Sequence, residues 1–279
     1  MGAIIKNQFR TFLRNPGSIF MFVFPLVMIV TLISVENVLD IPQSAKQAGL
    51  LVIYANLIVI GVMSVINSSF GSNFMELRTS SLIKRLGTTQ VTKSQLLTGY
   101  VLWSIIQSFM EILWITFVML LFTSWTGLLM DAKLFGSASN VDWLGVAYGL
   151  IWLIIVSFMT TFLWISIAPN SESYQLMSIL YFFLVLYFGG LIFTGVNVAW
   201  MNIFSLILPQ TYSAHFISAA FNGGVYHASF SVDPISIWNF NNFTDKFVTE
   251  GVSSLNLIMP IVYTILIIPV AMKKFQFDA

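Results

Sequence analysis

The sequence predicts an all-α integral membrane protein with six transmembrane helices, on three observations. Hydrophobic residues make up 57% of the 279 positions and charged residues only 8%, against about 25% charged in a soluble globular domain. Apolar runs of about twenty residues recur along the chain, each long enough at ~1.5 Å per residue to cross a ~30 Å hydrocarbon core. The basic residues also concentrate in alternate connections between those runs, as the positive-inside rule requires. The 12 Lys and Arg nearly balance the 11 Asp and Glu, so charge gives no case for a nucleic-acid partner. With no cysteine, disulfides and thiol chemistry are excluded.

In chain order, residues 1–279 read as a single transmembrane domain. Residues 1–16 form an interfacial elbow helix, because Ile5, Phe9, Phe12 and Leu13 share one face beside Lys6, Arg10 and Arg14 before Asn15 and Pro16 break the helix. The spans are expected at 18–35, 49–70, 95–123, 144–168, 175–196 and 253–272. The first has a basic flank but no small-residue cleavage site after it, and is read as a retained span. Pro25 kinks that span. In the second, Gly61, Ser64, Ser68 and Gly71 share a face suited to close helix packing.

Between the second and third spans, residues 73–93 intersperse Glu76, Arg78, Lys84, Arg85 and Lys93 with Phe74, Leu77, Leu82, Ile83 and Leu86. That segment is long for a connection and its apolar side chains need a surface, which suggests a docking helix for a cytoplasmic partner. Residues 198–224 hold two apolar runs too short to span, joined at Leu208, Pro209 and Gln210, and read as an outer re-entrant hairpin buried against protein. Beyond it, Trp238, Phe240 and Phe243 are available as interface anchors.

Orientation comes from the basic residues. With both termini in the cytoplasm, Lys6, Arg10, Arg14, Arg78, Lys84, Arg85, Lys93, Lys273 and Lys274 lie inside, and only Lys46, Lys133 and Lys246 outside. The expected location is therefore the plasma membrane, crossed several times.

No catalytic motif is present: there is no phosphate loop, no His-Glu-x-x-His and no Gly-x-Ser-x-Gly. The two histidines, His215 and His227, have no carboxylate at metal-ligand spacing between them, so no metal site is expected. The candidate chemistry lies in the third span, where Ser104, Gln107, Ser108 and Glu111 fall at i, i+3, i+4 and i+7 on one face. An ionisable group at that depth costs ~2.5 to 3.5 kcal/mol on the insertion scale, so it faces the bundle interior or a wet cavity. The stripe reads either as a substrate path or as a protonated Glu111 holding helices together.

Four features together resemble the permease subunit of an ABC-2-type ABC exporter, over nearly the whole chain. The elbow running into Arg-Asn-Pro and then Phe-Pro is matched by Phe9, Arg10, Arg14, Asn15, Pro16, Phe24 and Pro25. The family's coupling helix is similar to Glu76, Arg78, Leu82, Lys84, Arg85, Leu86 and Thr89, with Thr79, Ser80 and Ser81 where Gly-Thr is common and Gln90 where Pro is usual. Leu208, Pro209 and Tyr212, leading to Gly223 and Gly224, match the run that marks the outer re-entrant helices. The six-span layout without a nucleotide-binding domain is the fourth.

The resemblance implies a bacterial permease that pairs with a second permease, alike or different. Two copies of a separate ATP-binding subunit would dock on Glu76, Leu77, Arg78, Lys84, Arg85 and Leu86, and Arg10, Arg14, Pro16 and Pro25 would serve the elbow and gating. ATP and Mg would sit on that partner, with no cofactor on this chain. Low charge and aromatic content favour an amphipathic or hydrophobic cargo such as a drug, an antimicrobial peptide or a lipid-like molecule. The competing reading is a secondary transporter that uses Glu111 as a proton or cation carrier, although the two halves show no internal repeat. The topology predicts that an enzyme reporter active only outside the cell gives signal when inserted after Asp131 or Asp245, and none when inserted after Arg85 or fused to the C-terminus.

Overall fold

The computed structural model describes residues 6, 9, 10, 23, 43–79, 93–125, 141–189, 207–221 and 254–274. Every regular element among them is helical. Helix α1 (Gln43–Val65) continues through a π-helical turn (Ile66–Ser72) into α2 (Asn73–Thr79). Then come α3 (Lys93–Trp125), α4 (Trp143–Ile167), α5 (Ser171–Phe188), α6 (Pro209–Phe221) and α7 (Ser254–Lys274).

Three stretches, Leu51–Glu76, Gln95–Leu121 and Trp143–Ile167, are long and apolar enough to cross a membrane. Their surroundings agree: α3 exposes Ile106, Phe109, Leu113 and Phe117, and α5 exposes Leu176, Ile179, Leu180 and Phe183. Continuous apolar faces of this size are rare on water-soluble monomers and are what hydrocarbon accepts. The architecture, with these three long apolar helices among the described residues, is compatible with a multi-pass membrane protein. Helices α5 and α7 occupy the regions expected to hold the fifth and sixth spans, α5 starting four residues earlier than the expected 175. Of the elbow and first span, only Lys6, Phe9, Arg10 and Val23 are described, and 80–92, 198–206 and 225–252 lie wholly outside the described residues.

Local chemistry sets the helix ends. The Asp142 carboxylate accepts the Gly145 N–H at 3.0 Å and caps α4. That helix stops at Ala168, which is extended because Pro169 comes next. Asn170 then caps α5 by accepting the Ser173 N–H at 2.8 Å, with Glu172 in the first turn favoured by the helix dipole. In α7, Pro260 and Pro269 interrupt the hydrogen-bond ladder. Thr264 Oγ1 donates to the Pro260 carbonyl at 2.8 Å and the Tyr148 hydroxyl to the Leu257 carbonyl at 3.1 Å, so two side-chain hydroxyls bond the α7 backbone around the first of these prolines.

Helix α6 sits at the centre, packed on α4, α1 and α7. Its 13 residues cover only about 20 Å, and it runs antiparallel to α4. The Asp142 N–H donates to the Ala220 carbonyl at 3.0 Å, Gly149 opposes Phe216 and Ile217, and Gln210 reaches Thr160. The helix therefore starts deep among its neighbours and ends level with the start of α4.

The face expected of Gly61, Ser64, Ser68 and Gly71 is not continuous. Gly61 lies against Ile115 and Glu111 of α3, whereas Gly71 lies against Tyr174 and Thr161. The intervening π-helical turn has more residues per turn than an α-helix, so it rotates the next stretch of helix onto a different neighbour. A Cβ on Gly71 would fall inside the Tyr174 hydroxyl, 2.5 Å from Cζ and 2.9 Å from Thr161 Cγ2, while one on Gly61 meets the flexible tip of Ile115 at 2.7 Å. Gly71→Ala is therefore expected to lower the thermal midpoint in detergent more than Gly61→Ala, by about 1–3 kcal/mol, with part of the loss recovered by adding Tyr174→Phe.

Candidate polar seam and its supports

The four stripe residues of α3 are all buried. Ser104 Oγ donates to the Tyr100 carbonyl at 2.9 Å and Ser108 Oγ to the Ser104 carbonyl at 2.9 Å, so both serines are satisfied within their own helix. Ser104 Oγ also lies 3.5 Å from Ser69 Oγ on the π-helical turn. Farther along, the Tyr54 hydroxyl and Thr116 Oγ1 meet at 2.6 Å. Together these contacts make a closed seam between α1 and α3 that is polar along its length.

Near the middle of the 33-residue α3, the seam is unsatisfied. Glu111 is 2% exposed and Gln107 5%, and Oε1 of each has no hydrogen-bond partner among the described residues. Glu111 points at the gap left by Gly61: a Cβ there would lie 3.0 Å from Glu111 Cγ and 3.5 Å from its Oε1. A buried polar group left unpaired costs about 1–3 kcal/mol and a charged one more. That cost singles the pair out from the serines beside it.

A second polar cluster joins α4, α5 and α6. The Tyr181 hydroxyl donates to Gln210 Oε1 at 2.5 Å, and Gln210 Nε2 donates to Thr160 Oγ1 at 3.0 Å. Thr160 in turn donates to the carbonyls of Val156 and Ser157 at 3.0 and 3.1 Å. Gln210 is wholly buried beside Pro209, whose missing N–H suits the first helical position. The ring of Tyr212 lies 6.1 Å from that of Tyr263 in α7. Pro209 and Tyr212, expected at the outer re-entrant turn, thus anchor α6 within the bundle.

The third support is Arg78. Its Nη1 donates to the Ile165 carbonyl and, at 3.3 Å, to the Ala168 carbonyl. A cation on the last carbonyls of α4 satisfies groups the helix cannot and complements its dipole. Arg78, expected among the docking residues, is thus half-buried and committed to the α4–α5 turn, while Glu76 in the same helix is exposed. Arg10 is exposed, and Phe9 beside it packs edge-on against Trp103 of α3 at 6.0 Å. Arg14, Pro16, Pro25, Lys84, Arg85 and Leu86, and the side chain of Leu77, lie outside the described residues.

Sequence reasoning missed Asn67, Thr161 and Tyr174, as well as the linkage through Gln210. Thr161 Oγ1 donates to Asn67 Oδ1 at 2.6 Å, and the Tyr174 hydroxyl to the Asn67 carbonyl at 2.9 Å. An amide side chain inside an apolar run was the available signal, as it was for Gln107. No group of three or more metal-ligating side chains occurs among the described residues.

Arg78→Gln is expected to destabilise the fold by about 1–3 kcal/mol, read as a lower thermal midpoint in detergent. Arg78→Lys should recover only part of it, because a shorter side chain ending in a more strongly hydrated ammonium replaces the guanidinium nitrogen that bonds both carbonyls. No family model matches this chain, and no curated protein or solved structure matches it either.

Proposed function

We propose that the chain is the permease subunit of an ATP-driven exporter of the ABC-2 type, moving an amphipathic or hydrophobic cargo out of a bacterial cell. The observation that carries this reading is the α1–α3 seam. A transporter needs polar groups along a line through an apolar bundle, on helices able to part and close again. Ser104, Gln107, Ser108 and Glu111 form such a line, closed here against Gly61 and Ser69. In this reading the second and third spans separate along the seam to admit cargo.

The drive comes from a separate ATP-binding subunit that carries ATP and Mg and docks on the segment 73–93. Helix α2 begins that segment, and Arg78 at its end holds the α4–α5 turn. Displacement of the segment would therefore be felt by α4 and, through it, by α6. Pairing with a second permease would place two such bundles side by side, with lipid around them.

The unpartnered oxygen of Glu111 favours a second reading, a secondary transporter with that carboxyl as the proton or cation carrier. Reconstitution separates the two. The purified chain alone should hydrolyse no ATP, and with its ATPase partner it should transport equally with and without a proton gradient. Arg85→Glu should cut ATP-driven transport at least about tenfold while leaving elution and thermal midpoint unchanged. Full-rate transport by the chain without an ATPase would refute the exporter.

A further inference from the structure

Two facts about the α1–α3 seam call for one ligand. Gln107 Oε1 and Glu111 Oε1 are both acceptors, both more than nine-tenths buried and both without a partner. They stand one helical turn apart on the same face, where side chains meet across ~5–6 Å between Cβ atoms. Among the described residues, the elements packed along this seam supply no countercharge. Besides Tyr54, committed to Thr116, α1 carries only Lys46 as an ionisable residue, about four turns from Gly61. The π-helical turn carries none, and α3 adds only Lys93 and Tyr100 to Glu111. Serines 104 and 108 have already given their protons to backbone carbonyls.

A single proton answers both deficits. Placed on the Glu111 carboxyl, it removes a charge the apolar seam cannot solvate and supplies an O–H donor of the kind the Gln107 carbonyl oxygen lacks. We infer that the closed α1–α3 seam is a proton-binding site, with Glu111 as the proton acceptor and Gln107 as its hydrogen-bond partner, and that opening the seam releases the proton. The inference rests on the reading of this seam as the part of the bundle that parts, but not on what provides the drive. When α1 and α3 separate, water reaches the carboxyl and the charged form is solvated. The closed seam binds the proton and the open seam gives it up, so acid favours closure and alkali favours opening. The same coupling makes seam opening release a proton whether the force comes from ATP or from cargo.

The test uses the full chain in lipid nanodiscs. Infrared spectra in neutral buffer should contain the C=O band of a buried carboxylic acid. The band should shift with ¹³C-labelled glutamate and vanish in Glu111→Gln. A glutamate-labelled protein without that band overturns the proposal, and the isotope measurement stands even if the variant misfolds. Opening is read by thiol labelling at Ser108→Cys, which is clean because the chain has no cysteine of its own. The labelling rate with Glu111 present, divided by that in the Glu111→Gln background, should rise at least about fivefold from mildly acidic to alkaline buffer. The ratio cancels the thiol's own ionisation.

A flat ratio with the band present overturns the coupling to opening and leaves the exporter reading intact. A rising ratio in a chain that an ATPase partner fails to drive keeps the proton site and removes the exporter.

Discussion

Asn67 is the point on which the described bundle turns. Its backbone carbonyl takes the Tyr174 hydroxyl and its side chain takes Thr161, so one residue of the long helix running from α1 into α2 is tied to both α4 and α5. The reason is the π-helical turn that contains it. Such a turn alters the regular hydrogen-bond ladder, and in an interior without water each backbone group left out must find another donor or acceptor. Gly71 completes the clamp, since any side chain there would occupy the space of the Tyr174 hydroxyl. The clamp fixes how far the helix has rotated by the time it reaches α2, and hence that Arg78 arrives at the end of α4.

That rotation divides the labour of one long helix. Before the π-helical turn it faces α3 and closes the polar seam; after it, the helix faces α4 and α5. The two halves are also held by different physics. Around Asn67 two hydroxyls each find an acceptor, whereas the seam leaves two oxygens unmatched. A satisfied polar cluster stiffens a structure, and an unpaired buried polar group costs it stability. The Tyr181–Gln210–Thr160 chain belongs with the first kind and ties α6 to α4 and α5.

The apolar character of the long helices was readable in composition, and apolar run length accounts for the helices within 43–79, 93–125 and 143–167. Burial of Glu111 came from a solvent argument: an ionisable group in a long apolar run has only the bundle interior to face. The partners were not readable. Gly61 and Gly71 share a face only if every turn is that of a regular α-helix, and nothing in Ile66–Ser72 announces that it is not. Arg78 looked like a loop cation because its acceptors, Ile165 and Ala168, belong to a helix two elements further along the chain. Long-range pairs of this kind depend on helix tilt and rotation, which the hydrophobic pattern of a single helix leaves free.

The brevity of α6 bears on how the protein is made. A segment of 13 residues that carries Gln210, Thr211, Ser213 and Ser218, all buried, lacks both the length and the apolarity to partition into lipid by itself. The partners of Gln210 exist only once Thr160 and Tyr181 are in place. Helix α7 is synthesised after α6 yet forms one of its walls. Folding must therefore hold α6 in waiting until α7 arrives, and the seating of α6 is the event that converts a set of separate helices into one packed bundle.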